Sequence, residues 1–294
     1  MKKSTIGIIG GSGVQQIEGL NGAKWEKVSS PFGEPSDNLL IGDINGNPVV
    51  FLPRHGRGHK LSPTAINYRA NIDVMKRVGT TDIISFSAVG SLKEEYRPGD
   101  FVLVDQFIDR TFARKKTFFD NGCVAHVSFS HPISFRLQKA LYAACEKLGL
   151  KAHLGGTYIC MEGPQFSTYA ESILYRSWGC DVIGMTNMPE AKLAREAELP
   201  YATVGMVTDY DCWHPDHESV SVEGVIEVMK QNSKNANELL CNVLQYIKDR
   251  PDVDTQGGDR ALDFAIVTSP EARDPATMSK LDAVAQRILS NSSN

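Results

Sequence analysis

The chain has 294 residues, of which 41% are hydrophobic and 22% are charged, and its formal net charge is −4. This composition is globular rather than disordered, and the length allows one large domain or two small ones. We expect no nucleic-acid partner, because no long basic run is present, and no membrane span, because no apolar stretch approaches ~20 residues. Six scattered cysteines without a C-x-x-C pair indicate reduced thiols and a cytoplasmic protein.

Short apolar runs predict the strands of the chain, which in order are 6–9, 38–44, 48–53, 82–87, 101–108, 157–161, 181–185 and 201–207. Helical patterns lie between several of these runs, over 62–77, 132–148, 168–178, 189–197 and 221–247. Ser62-Pro63 suits the start of the first helix and Gly149 the end of the second. The alternation predicts an α/β fold, a single domain with a central mixed, partly parallel β-sheet flanked by helices. Beyond it, residues 252–259 resemble a linker, and Asp274-Pro275 predicts a last helix to about Leu289.

Four strand ends carry groups that suit an anion. Backbone N–H groups of a glycine-rich turn can converge on phosphate, Arg offers a planar fork, and His and hydroxyl side chains add donors. The residues concerned are Ser12, Arg54, His55, Ser87, Ala88 and Thr186. Singly, each motif has a structural alternative. The first turn lacks the third glycine of a dinucleotide fingerprint and could be only a tight strand-to-loop turn, and Arg54 could lie in a solvated loop. Together they predict a phosphate site.

A pair of acids follows the strand 201–207, at the carboxyl end where open α/β sheets bind ligands. Asp209 and Asp211 lie two apart, so in extended chain their side chains would leave the same face. Such a pair could share a proton, hold a metal or accept hydrogen bonds from a ligand, whereas an Asx-type turn is the structural alternative. Phe166 could stack on a flat heterocycle or simply pack in the core. No metal-ligand spacing is present, and we expect no metal.

Several motifs resemble one known family over residues 6 to about 235. They include IGIIGGSG (6–13), SPFGEPSD (30–37), PRHGRGH (53–59), MEGPQFST (161–168) and TDYDCW (208–213). The chain resembles the 5′-methylthioadenosine phosphorylases of the trimeric purine nucleoside phosphorylase superfamily. The resemblance implies a catalytic domain over residues 1–250, with 251–294 as a linker and helical tail of the same domain. It also implies a homotrimer, a nucleoside and inorganic phosphate as substrates, and no cofactor.

The resemblance also assigns roles by position. Phosphate would be bound by the six residues named above, although several family members carry Thr where this chain has Ser12 and Ser87. The nucleoside would be bound by Phe166, Ser167, Met185, Asp209, Asp211, Val222, Val225, Ile226 and, from a neighbouring subunit, His126. Val222, Val225 and Ile226 share one helix face, as a lining for the 5′ substituent requires.

The residue types at two positions bear on the choice of base. The related 6-oxopurine phosphorylases carry Glu at the position of Ser167 and Asn at that of Asp209. An ionised carboxylate only accepts hydrogen bonds, so Asp209 suits a 6-amino group and disfavours an O6 carbonyl. The implied reaction is phosphorolysis of 5′-methylthioadenosine to adenine and 5-methylthioribose 1-phosphate, with Asp209 as the catalytic acid toward N7. A related phosphorylase of adenosine, methylthioinosine or inosine remains the alternative.

Overall fold

A computed structural model of the chain describes residues 2–14, 17–215, 222–250, 254 and 258–291. Eleven strands of this part form one mixed sheet, and two short strands, β1 and β13, pair with each other. The strands are β1 (Lys2–Lys3), β2 (Ile6–Gly10), β3 (Asn21–Glu26), β4 (Leu39–Ile44), β5 (Asn47–Pro53), β6 (Asp82–Ser91), β7 (Phe101–Leu103), β8 (Gln106–Asp109), β9 (Ala152–Leu154), β10 (Thr157–Cys160), β11 (Val182–Gly184), β12 (Tyr201–Asp209) and β13 (Asp249–Arg250). The helices are α1 (Tyr68–Arg77), α2 (Phe135–Leu148), α3 (Tyr169–Ser177), α4 (Asn187–Glu196), α5 (Val222–Ile247), α6 (Pro275–Lys280) and α7 (Gln286–Asn291).

Strand β6 is the centre of the sheet. It pairs in parallel with β2 and β12 and antiparallel with β11. Its partner β2 ends with Gly10 opposite Phe86, and β11 pairs only with Gly90 and Ser91. Residues 87–89 therefore lack a strand partner on that side among the described residues, which leaves this stretch of β6 open to a ligand.

The helices cover the sheet in two packed pairs, α1 with α4 and α2 with α5. Most strand residues of β2, β5, β6 and β12 are buried, as expected for strands covered on both faces. The predicted α/β fold with a mixed, partly parallel sheet is confirmed.

Three ends of α2 and α3 have standard capping chemistry, of which the sequence analysis predicted Gly149. The Ser134 hydroxyl accepts the Leu137 N–H before α2, and Gly149 ends that helix in the left-handed conformation. Thr168 caps α3 together with Glu171, whose carboxylate accepts the Thr168 backbone N–H.

The predicted start of the first helix at Ser62 is wrong. Residues 62–65 form a turn in which the Thr64 hydroxyl reaches the carboxylate of Glu162, and α1 begins only after Asn67, whose side chain accepts the Ala70 N–H. The Ser62 hydroxyl still accepts the Ala65 N–H at 3.4 Å, but the capped segment is a turn and not the first turn of the helix.

Several further elements differ from the sequence predictions. The run 101–108 divides into two strands with different partners. β7 pairs with β12 and β9, whereas β8 pairs with β10. Exposed β3 and short β9 were not predicted. The last helix divides into α6 and α7, and the segment between them buries Leu281, Val284 and Ala285 in the main core. Of the predicted linker 252–259, only 254, 258 and 259 lie within the described residues.

Candidate active site

A cavity of about 710 Å³ opens at the carboxyl ends of the central strands. The unpaired stretch of β6 forms part of its wall, through Ser87, Ala88 and Val89. Of the predicted site residues, the cavity is lined by Ser12, Arg54, His55, Ser87, Ala88, Phe166, Met185, Thr186, Asp209, Asp211 and Ile226. Residues from seven separate stretches of sequence therefore meet in one place.

Hydroxyl groups cluster where β6 meets the start of α4. The Ser87 hydroxyl lies 3.5 Å from that of Thr186 and 3.2 Å from the phenol of Tyr158, which is fully buried under the cavity floor. The added Cβ of any residue at Gly184 would lie 2.0 Å from the Tyr158 oxygen, so this position requires glycine. These hydroxyls, with Ser12, are suitable donors for phosphate oxygens.

Arg54 is the main cation of the cavity and is completely buried. Its guanidinium forms a two-pronged ion pair with Glu190, with Nε–Oε2 at 2.7 Å and Nη2–Oε1 at 3.0 Å. It also donates to the Ser85 hydroxyl and to the Phe86 carbonyl. The charge is thus held rigidly at the cavity wall by β6 and α4.

His55 is neutral in this environment. Burial, and secondarily the charge of Arg54, lowers its pKa to about 4. Its Nδ1 lies 2.8 Å from the carbonyl oxygen of Leu61, which can only accept, so Nδ1 carries the hydrogen. Nε2 is then an acceptor, whereas the sequence analysis expected His55 to serve as a donor to an anion.

The two acids occupy the end of β12, although the extended geometry expected for them is wrong. The chain turns at Asp211, whose φ is 51°. Asp209 accepts the Thr208 hydroxyl at 2.6 Å and the Asp211 N–H at 2.8 Å, and a Cβ at Gly90 would lie 2.9 Å from its Oδ1. Burial raises the pKa of both carboxyl groups, which favours a protonated acid in the cavity.

A second buried ion pair fixes the backbone beside the cavity. Arg114 pairs with Glu162 at 2.9 Å and donates to the carbonyl oxygens of Met185, Met188 and Glu162 at 2.6 to 2.7 Å. Burial raises the pKa of Glu162, but hydrogen bonds from Thr64 and from two backbone N–H groups outweigh it and lower the pKa to about 2. Arg114 thereby fixes the positions of the loop 161–166 and of the Met185 backbone relative to each other.

Four predicted residues are not on the described cavity wall. Ser167 is half-buried beside the Asp211 carboxyl, and its backbone carbonyl accepts the Cys212 thiol. His126 is exposed, with its N–H donated to the Ala265 carbonyl. The side chains of Val222 and Val225 lie outside the part of the chain whose side chains the structure describes.

Twelve lining residues were not predicted as site residues, mostly apolar or small ones without a chemical signal in the sequence. They are His59, Leu61, Ser62, Pro63, Val89, Gly90, Met161, Pro164, Ile183, Gly184, Thr208 and Met229. The signal for some of them was their place in or beside a recognised motif, RHGRGHKLSP (54–63), MEGP (161–164) or TDYDCW (208–213). His59 stacks on His55 with ring centroids 4.2 Å apart, which a sequence pattern does not reveal.

The sequence and the fold match known proteins closely. The model of the Phosphorylase superfamily matches residues 5–245. The chain belongs to this superfamily. It is 58% identical to an S-methyl-5′-thioadenosine phosphorylase of Cereibacter sphaeroides, over 98% of this chain and 99% of that protein. It is 59% identical to the corresponding protein of Bradyrhizobium diazoefficiens, again over 98% and 99%.

Solved structures of this superfamily agree. A methylthioadenosine phosphorylase from an antarctic soil metagenomic library has a TM-score of 0.88 and 43% identity, covering 96% of this chain and 99% of that one. The enzyme of Schistosoma mansoni in complex with adenine has a TM-score of 0.84 and 33% identity, covering 92% and 99%. The resemblance found from sequence motifs is therefore confirmed. Within the described residues, no helix has both the length and the apolar character that a membrane crossing requires.

Proposed function

We propose that the protein catalyses phosphorolysis of 5′-methylthioadenosine, which yields adenine and 5-methylthioribose 1-phosphate. The observation that carries the proposal is the arrangement along β6. Ser87 lies beside the anion-binding groups, while Gly90, three residues further along the strand, is paired with Asp209. At roughly 3.3 Å per residue the two groups are about 10 Å apart, which leaves room for a ribose and a purine between phosphate and acid.

The reaction requires a nucleophile, a leaving group and a proton for that leaving group. Phosphate, held by Ser12, Arg54, Ser87 and Thr186, attacks the anomeric carbon as its bond to N9 breaks. In this proposal the protonated form of Asp209, which burial favours by raising the pKa of its carboxyl, donates its proton to N7 of the departing adenine. Alignment of the two reactants in one closed site supplies much of the remaining acceleration.

His55 acts on phosphate as an acceptor in this proposal. Its unprotonated Nε2 can take a hydrogen bond from a P–O–H group of bound phosphate, because its Nδ1–H is used by Leu61. The bound phosphate is then oriented by two kinds of hydrogen bond. The phosphate-binding donors reach its unprotonated oxygens, and His55 accepts from its hydroxyl.

Selectivity for the 5′-methylthio group is supported by the apolar side of the cavity. Ile226 and Met229, one turn apart on α5, line it, and Phe166 lines it in a position suited to stacking on the base. Asp209 and Asp211 supply acceptors for a 6-amino purine. A methylthio group therefore matches this wall better than a hydroxyl does.

The remaining parts of the proposal concern assembly and setting. We propose a cytoplasmic homotrimer that uses inorganic phosphate as co-substrate, without metal or organic cofactor, built from a catalytic domain (1–250) with a tail (251–294). Phe112 and Phe264 are 82% and 99% exposed, and association would give these two rings a surface to pack against. Sedimentation velocity tests this point, and a monomer with full activity would contradict it.

The activity is tested by following adenine release with and without phosphate. We expect release from 5′-methylthioadenosine only when phosphate or arsenate is present, together with formation of the sugar 1-phosphate. Equal release in buffer free of both anions would indicate a hydrolase instead. A parallel panel of adenosine, inosine and methylthioinosine decides between the proposed specificity and its alternatives.

A further inference from the structure

The hydrogen-bonding capacity of Arg54 is nearly exhausted within the protein. Its five N–H groups include the Nε–H, given to Glu190, and both hydrogens of Nη2, given to Glu190 and Ser85. One hydrogen of Nη1 goes to the Phe86 carbonyl at 2.9 Å. Among the described residues this leaves a single N–H, on Nη1, for a ligand.

That remaining hydrogen belongs to the atom nearest the glycine-rich turn. A Cβ added to Gly11 would lie 2.4 Å from Nη1 of Arg54, so the guanidinium edge passes directly under the residue before Ser12. Both Ser12 and Arg54 line the cavity. The direction of this one N–H therefore depends on the plane in which the guanidinium is held.

Glu190 determines that plane. Its Oε2 accepts Nε of Arg54, and its Oε1 accepts Nη2 of Arg54, the Ser85 hydroxyl at 2.8 Å and the Tyr201 phenol at 2.9 Å. The phenol in turn accepts the side-chain N–H of Asn187. Glu190 is 1% exposed and does not line the cavity, so it acts only through its neighbours.

We propose that Glu190 is a positioning residue for phosphate, which orients the guanidinium of Arg54 and balances its charge. A fork-to-fork pair fixes the guanidinium plane more strictly than a single bond would. Since Glu190 neutralises Arg54, the one Lys or Arg among the described residues that line the cavity, phosphate is recognised by directed hydrogen bonds rather than by excess positive charge. The proposal rests on the proposed phosphorolysis and adds to it a determinant of phosphate affinity.

The matched pair of variants is Glu190→Gln and Glu196→Gln, the same change at two buried positions of α4. Glu196 accepts the Thr117 hydroxyl and the Phe118 N–H, away from the cavity lining, and burial raises its pKa to about 7. In Glu190→Gln the new amide N–H groups face N–H groups of Arg54, so the guanidinium must turn. Glu196→Gln removes a carboxylate without touching Arg54.

We expect Glu190→Gln to raise the KM for phosphate by about 10- to 100-fold, the effect of a small misplacement of a binding group. The KM for 5′-methylthioadenosine should stay within about threefold, and Glu196→Gln should change neither constant beyond that range. A purely structural role would instead lower Tm while leaving the ratio of the two KM values unchanged, and that result would overturn the proposal.

Two further measurements keep the test decisive. If Glu190→Gln does not fold, Ser85→Ala is used in its place. This change removes one acceptor of Arg54 and one donor to Glu190, and we expect about a fivefold rise in the KM for phosphate. An unchanged KM for phosphate would contradict the proposal. Calorimetric titration of wild type and variants with inorganic phosphate alone measures the same effect without the nucleoside. Absence of phosphate-dependent turnover in the wild type would refute the proposed function, whereas unchanged phosphate binding in the variants would refute only the role of Glu190.

Discussion

Replacement of Asp209 by Asn tests the acid at the end of β12 with little disturbance of its surroundings. The Asn oxygen can accept the Asp211 N–H as Oδ1 does now, at 2.8 Å. Its amide N–H₂ then faces the Thr208 hydroxyl, which can turn its hydrogen to the Val89 carbonyl, 3.2 Å away. The internal hydrogen bonds of the site can therefore be kept, and we expect a folded variant with a changed chemistry.

The expected losses follow from the two roles proposed for the carboxyl group. Loss of the proton donated to N7 removes general acid catalysis, which typically contributes ~10²–10⁴-fold, or about 3–5 kcal/mol of transition-state stabilisation. The change from acceptor to donor at the 6-position alters the hydrogen bond to the base by about 1–3 kcal/mol in favour of a 6-oxopurine. We therefore expect Asp209→Asn to lose most of its kcat/KM for 5′-methylthioadenosine and to shift the ratio toward inosine by ~5- to 150-fold.

The assay compares kcat/KM on both nucleosides for wild type, Asp209→Asn and a control, Asp100→Asn. Asp100 is also a buried aspartate, but it bonds His153 and the Arg97 N–H rather than the cavity. Because Ser167 lies beside Asp211, full exchange of specificity should also require Ser167→Glu, and the two changes should be coupled. An unchanged ratio between the two nucleosides in Asp209→Asn would mean that this residue does not contact the 6-position.

Three other predictions concern pH, a glycine and a helix cap. His55 has a pKa of about 4 in the folded protein and about 6.5 in the unfolded chain. The unfolded chain therefore binds more protons between these pH values, and the free energy of unfolding falls as pH drops from 6.5 to 4. Urea unfolding should show wild type losing up to about 3 kcal/mol over this range relative to His55→Gln, and parallel pH dependence of the two proteins would contradict the prediction. The Cβ of Gly184→Ala would lie 2.0 Å from the Tyr158 oxygen. The variant should therefore be destabilised by about 1–3 kcal/mol and have a higher KM for phosphate. Unchanged Tm and KM would show that the Tyr158 ring can shift without cost. Thr168→Ala removes the cap that pairs with Glu171 and should cost about 1 kcal/mol by thermal unfolding, while Thr168→Ser should retain it.

The sequence was a good guide where a signal is local. Apolar runs predicted β2, β5, β6 and β12, because buried strands covered on both faces are continuous in hydrophobicity. Gly149 predicted the end of α2 for the same local reason, whereas the predicted start at 132 came three residues before Phe135, because the cap at Ser134 was not recognised. Ser62 accepts the Ala65 N–H as a cap does, but it closes only a turn, in which Thr64 is held by Glu162, nearly a hundred residues later in the chain.

Residue types alone determined the chemistry available to this protein: hydroxyls, an arginine and a histidine at strand ends, and a pair of acids at the end of β12. Only the tertiary structure decided how these groups act. The gap between β2 and β11 opens β6 to a ligand, the Leu61 carbonyl makes His55 an acceptor, and burial raises the pKa of Asp209. The partnership of Arg54 with Glu190 joins positions 136 residues apart. Such effects depend on desolvation and on the direction of single hydrogen bonds, and both arise only when distant segments pack together.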